Sequence, residues 1–277
     1  MMKDNCKMID GIRIIRKEGF ILYYIDSFSE TIQSEIRKHL SEICYGAINS
    51  SSEINFYSYK ATAKEFITRY KSPTSDDKRK KGLIGELLFH ILMAIESNYL
   101  PASAFFNTEE RSLKKGFDVT FYDSDNQELW FAEVKSGEKQ KNQGNQSTAI
   151  THLISVAKND MKKRLNQENN VLWQNAINHA IITVKETKDE KKVIMNLLGK
   201  FANDASVGKY TSSDKNVILV GVLFHTLTQE VDAQKIQAKC DQLIKENYFN
   251  KLIVIAIQKN TYEAVFHFLE REANDGE

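Results

Sequence analysis

The stretch KKGFDVTFYDSDNQELWFAEVKSG, residues 114–137, places three charges where a sheet would be expected to pack its core: Asp118, Glu133 and Lys135. Runs rich in Val, Phe, Tyr and Trp flank DSDNQ and read as two strands joined by a polar turn. A two-residue turn centred on Asp125–Asn126 sets Asp118 opposite Glu133. Side chains alternate along a strand, so Glu133 and Lys135 share a face with Asp118, while Val119, Ala132 and Val134 point the other way. Opposed carboxylates repel, and a hard cation such as Mg²⁺ (or Mn²⁺) would relieve that repulsion while retaining waters for substrate phosphates. Lys135 would then neutralise charge growing on a phosphate, or help to deprotonate the attacking water. The plainer arrangement has Lys135 paired with Glu133 or Asp118 on a solvated edge.

A helix must bring further groups near this hairpin. In KKGLIGELLFHILMAI, residues 80–95, Glu86 falls among Leu83, Leu87 and Leu88, where an unpaired carboxylate is costly. A metal near the hairpin face is its simplest partner; a buried salt bridge would also serve. His90 shares a helix face with Glu86. The segment lacks the first His of HExxH, which argues against a zinc peptidase, and His90 reads as a hydrogen-bonded core histidine.

The elements around these residues follow from the remaining pattern. Residues 11–25 suggest two short strands about a Lys17–Gly19 turn, and Ile32, Ile36, Leu40 and Ile43 mark a helix over 29–45. Polar connections cover 46–56 and 72–77, so an N-terminal α/β extension, 1–70, is expected to precede a main domain, 71–277. A buried helix over 78–98, the hairpin and a helix over 148–165 form its core. NHAIITVK, 178–185, reads as a strand, 189–204 as helical, NVILVGVLF as a strand, 229–246 as a helix, KLIVIAIQ as a strand and 261 onward as a helix. Alternating strands and helices predict an α/β fold, a mixed sheet flanked by helices, whose last strand–helix–strand unit is parallel.

The bulk composition narrows the function. With 277 residues, 42% hydrophobic and only two prolines, the chain reads as an ordered globule; its net charge of +1 confines any basic surface to local patches. Three scattered cysteines without a CxxC pair argue against a disulfide framework or structural zinc and favour a reducing compartment. No segment has the length of a signal peptide or a membrane span, so a cytoplasmic protein without membrane contact is expected. GKYTSS, 208–213, lacks the glycine and spacing of a phosphate-binding loop, so no ATP-driven motor is legible.

Taken together, Glu86 in a leading helix, GFD with Asp118, and AEVK with Glu133 and Lys135 resemble the PD-(D/E)xK nuclease superfamily over residues 78–165. The resemblance implies a restriction-endonuclease-like core in which Asp118 and Glu133 hold Mg²⁺, Lys135 assists the nucleophilic water and Glu86 supports the metal. Phe117 stands where the motif has proline. KGLIGELLFH, KKGFDVTFY and FAEVKSG, with the N-terminal extension, are similar to the DUF1837 proteins, the Hachiman A subunit (HamA) family of antiphage defence. That resemblance implies DNA as substrate and a partner helicase, the Hachiman B subunit (HamB). Two other readings stand beside it: a non-catalytic DNA-binding or scaffold subunit, and a stand-alone restriction-type endonuclease.

For contacts to nucleic acid, the sequence offers Ser136, Lys139 and Lys141 on the segment leaving the hairpin. It also offers Lys158 and Lys162, with Lys163 and Arg164, at a locally basic helix end. Each has a plainer role on a solvated surface or at a helix C-terminus. Tyr122 and Trp130 sit at strand spacing and read as core.

Overall fold

The computed structural model describes residues 5–96, 99–106, 116–168, 170–185 and 189–274. The chain opens with a meander, β1 (Asn5–Ile9), β2 (Ile12–Lys17) and β3 (Phe20–Ile25). The helices α1 (Glu30–Tyr45), α2 (Ala47–Ser50), α3 (Tyr59–Lys71) and α4 (Asp77–Glu96) follow. Next come β4 (Tyr99–Pro101), β5 (Val119–Asp123) and β6 (Glu128–Glu138), then α5 (Gln146–Asn166), α6 (Asn170–Thr183) and α7 (Asp189–Ser206). The last elements are β7 (Asn216–Phe224), α8 (Ala233–Glu246), β8 (Lys251–Lys259) and α9 (Glu263–Asn274).

All these strands form one mixed sheet in the order β1-β2-β3-β8-β7-β6-β5-β4. Its centre, β3-β8-β7-β6, is parallel, and both wings are antiparallel. Parallel strands are covered on both faces, and every residue of β7 is buried accordingly. One face packs on α1, α3, α4 and α9, through residues such as Ile36, Phe66, Leu88 and Phe268. The other packs on α5 to α8, through residues such as Ile150, Trp173, Leu198 and Ile236. Along α4, Leu87, Leu88, Ile91 and Leu92 are each at most 1% exposed. Burying each stabilises the fold by roughly 1.5–3 kcal/mol.

Local chemistry fixes the element ends. Ser29 caps α1 by accepting from the Ile32 amide, Asn145 caps α5 from Thr148, and Asp232 caps α8 from Gln234. The β2–β3 turn is Glu18–Gly19, and Gly19 holds a φ of +81° that a side chain would strain.

Three differences from the sequence reading have physical causes. Residues 178–183 are helix, not strand, because Leu172, Trp173, Ala176 and Ala180 form one buried face at helical spacing. That periodicity outweighs the β-branched AIIT run. β1, β4 and α3 lie outside the elements expected from sequence: β1 and β4 are short, whereas α3 buries Ala63, Phe66, Ile67 and Tyr70 at helical spacing. The boundary expected near Lys71 is not a break in the sheet, since β3 pairs directly with β8.

Candidate active site

The hairpin register is the expected one. Val119 pairs with Ala132 and Tyr122 with Leu129, although the loop has four residues, 124–127, rather than two. Asp123 Oδ1 ties that loop by accepting from the amides of Asp125 and Asn126. The ladder ends at Val119, and the side chain of Asp118 continues it: Oδ2 accepts from the Val134 amide at 2.9 Å. Asp118 is thereby held beside Glu133 by the backbone itself.

Alternation along β6 sends Phe131, Glu133 and Lys135 to the α5 face, while Trp130, Ala132 and Val134 pack among the residues of α4. Glu133 is fully buried. Its Oε1 accepts from Lys135 Nζ at 2.7 Å and from Arg164 Nη2 at 3.2 Å. Its Oε2 lies 2.9 Å from Arg164 Nη1, yet no donor is aligned to hydrogen-bond it. Arg164 also donates to the Gly116 carbonyl at 2.8 Å and stands 3.9 Å from Asp118 Oδ1. Lys135 Nζ reaches a third carboxylate, Asp160 Oδ2, at 2.9 Å. Three carboxylates thus share two cations, and these contacts leave the cluster short of positive charge.

Burial, and then the charge of Asp118, push the Glu133 carboxyl up to about 7, against the opposing pull of Arg164 and Lys135. For Lys135 burial acts to lower the pKa, but the Glu133 charge and the bonds to Asp160 and Glu133 outweigh it and raise the value. The ammonium is therefore a fixed positive charge at neutral pH. A lysine in that state is suited to stabilising charge on a phosphate.

The structure brings Asp118, Glu133 and Lys135 together and sets Glu86 apart. Glu86 lies on α4, over the opposite face of the sheet. It is 7% exposed, its charge is felt by Cys44 of α1, and it has an interaction of its own. His90 is buried beside Phe105 and Phe121, in the core role expected of it. Tyr122 and Trp130 are likewise core.

The residues expected to touch nucleic acid are dispersed. Ser136 faces α4, its Oγ buried against Gly85, so it is closed to a strand of DNA. Lys139 and Lys141 lie on the loop between β6 and α5. Residues two apart on a helix point about 200° apart, so Lys158 and Lys162 face α8 while Asp160 and Arg164 face the hairpin. Lys158 pairs with Glu246 at 3.1 Å, and Lys162 stacks 3.4 Å from the centre of the Tyr248 ring. Sequence reasoning placed Arg164 with those lysines. The signal that separates it is its i+4 spacing from Asp160, one turn apart on the helix that returns over the strand.

A divalent ion fits this donor set. Mg²⁺ is commonly held by one or two carboxylates with water and substrate phosphate completing its shell, and Glu133 Oε2 is a buried oxygen with no aligned donor. Among the described residues, no three His, Cys, Asp or Glu side chains are grouped as a metal cage; the carboxylates that the hairpin sets side by side are Asp118 and Glu133. No helix among the described residues is long and apolar enough to cross a membrane.

A protein-family model, HamA, matches residues 6–273. No curated protein matches the chain.

Proposed function

The chain belongs to the HamA (DUF1837) family of Hachiman antiphage defence, and on that premise we propose that it is a Mg²⁺-dependent deoxyribonuclease subunit working with a partner helicase. The observation that carries the reading is fully buried Glu133, held beside Asp118 and Lys135 on one face of the hairpin. A scaffold has little use for a buried carboxylate whose environment resists its charge. A metal supplies Lewis-acid polarisation of the phosphate and a water activated at neutral pH. Asp118 and Glu133 would hold it, and Glu86, over the opposite face of the sheet, has no place in that centre. Lys135, permanently charged, stabilises the negative charge that builds on the phosphate oxygens. Lys139 and Lys141 would meet the backbone of bound DNA where the loop leaves β6.

The non-catalytic reading has one observation in its favour: Lys135 and Arg164 already satisfy much of the carboxylate charge. One experiment separates the two. Glu133→Ala combined with Lys135→Ala should abolish Mg²⁺-dependent cleavage of DNA, a loss of at least about a thousandfold. Circular dichroism should remain native. Undiminished cleavage by the folded double variant refutes the nuclease reading.

The same reading assigns the partner a place and a task. A nuclease without a sequence reader must be restrained among host DNA, and the helicase would hold it quiet and supply DNA during ATP turnover. Its docking surface is proposed outside residues 78–165. Size-exclusion chromatography of the co-expressed chains, with cleavage assayed with and without ATP, tests the coupling. A chain that elutes alone and degrades duplex equally well without ATP is self-sufficient instead.

A further inference from the structure

The guanidinium of Arg164 lies where the two carboxylates need a cation. Nη1 stands 2.9 Å from Glu133 Oε2 and 3.9 Å from Asp118 Oδ1, while Nη2 donates to Glu133 Oε1 at 3.2 Å. The Gly116 carbonyl, two residues before Asp118, accepts from the same Nη1 at 2.8 Å. Arg164 therefore joins the two strands of the hairpin at the point where a metal bound by both carboxylates would do so.

Resting on the metal reading above, we infer that Arg164 is an internal counter-ion that competes with the divalent cation for Asp118 and Glu133, so that the centre loads metal only when the guanidinium is drawn away. The chemistry of the contacts supports this in three ways. First, a guanidinium and a divalent ion on the same pair of carboxylates repel strongly in a site shielded from water. Second, the two Glu133 oxygens are held differently: Oε1 accepts two hydrogen bonds, whereas Oε2 faces Arg164 by charge alone. Oε2, 2.9 Å from Nη1, is therefore the oxygen at which a metal and the guanidinium exclude each other. Third, Arg164 is in the last turn of α5 with 21% of its side chain exposed, so it has a route out of the centre. Guanidinium groups match phosphate oxygens as a two-pronged donor. An arriving phosphodiester is thus the group best suited to draw Arg164 off the carboxylates as the metal enters.

The alternative is a purely structural role, in which Arg164 only compensates the buried Glu133. The two roles predict opposite metal affinities. Full-length wild-type protein, Arg164→Gln, Arg164→Lys and Asp118→Asn are titrated with Mn²⁺ by calorimetry without DNA, and their melting temperatures are recorded with and without the ion. Competition predicts that Arg164→Gln binds Mn²⁺ about tenfold more tightly than wild type, as expected when an occluded state of ~90% occupancy is removed. Arg164→Lys, which keeps the charge but loses the fork, falls between them. Metal-free Arg164→Gln melts below wild type and gains more from Mn²⁺. Arg164→Lys preserves a cation beside Glu133, so the test survives if the Gln variant does not fold. Folded Arg164 variants that bind Mn²⁺ no more tightly than a wild type that does bind overturn the competition alone. Absence of Mn²⁺ binding in every protein, or wild-type affinity in Asp118→Asn, overturns the metal reading and this inference with it.

Discussion

The two faces of β6 solve different problems with alternate residues of one strand. Toward α4, Ala132, Val134 and Ser136 meet the helix at close range, and a Cβ on Gly85 would lie 1.9 Å from Ser136 Oγ. Toward α5, Glu133 and Lys135 meet charges, from Asp118, Asp160 and Arg164. The first face is held by fit, since close-packed surfaces have no room to yield. The second is held by compensation among ions, which depends on pH and on any cation added. A strand firmly seated on one side can therefore carry an electrostatically costly arrangement on the other.

Titration is the most demanding way to break this comparison. The Glu133 pKa of about 7 lies above its ordinary 4.5, so the folded metal-free chain keeps a proton that the unfolded chain releases between those values. Stability then falls as pH rises from about 4.5 to about 7 and stays reduced above that window. Glu133→Gln should remove the slope and stabilise the metal-free protein at pH 8 by on the order of 3 kcal/mol, with the two proteins converging near pH 4.5. Urea unfolding across the range measures it. A wild-type profile with no fall in that window would mean that Arg164 and Lys135 offset burial completely.

On the packed face, Gly85→Ala should cost about 2 kcal/mol in the same assay, because the new methyl meets Ser136 Cβ at 2.8 Å as well as its hydroxyl. Adding Ser136→Gly should recover part of the loss, and this non-additivity is the signature of direct contact. Additive effects would show that α4 shifts freely over the strand.

The smallest effect is expected on the far flank of α5. Lys158→Ala loses a partly exposed pair with Glu246, worth less than about 1 kcal/mol, and should leave DNA cleavage unchanged. A large drop in cleavage would place the nucleic acid along α8 instead.

The pattern of what was legible in the sequence follows the same division. The register of Asp118 against Glu133 could be read because a polar turn and period-two alternation fix it jointly, even with the loop longer than expected. Arg164 could not be singled out among four basic residues until the path of α5 over β6 was known. The position of Glu86 was hidden for a related reason: a helix pattern reveals which residues are buried, not which face of a sheet buries them. The strand expected over 178–185 failed because the β-branched run Ile181, Ile182 and Thr183 imitates a strand while Trp173, Ala176 and Ala180 pack as a helix.

The joining of β3 to β8 has a consequence for biosynthesis. Phe20 pairs with Val254 and Ile25 with Lys259, so the first strands made wait for the last one to appear. While the ribosome is still working, β3 presents an unpaired edge of largely apolar residues, the kind of surface on which nascent chains misassociate. The hairpin and α5 emerge well before β8, so the charged cluster can form locally while the sheet that anchors it is incomplete. Closure by so distant a contact is slow in general, and the sheet cannot be completed until β8 has been made.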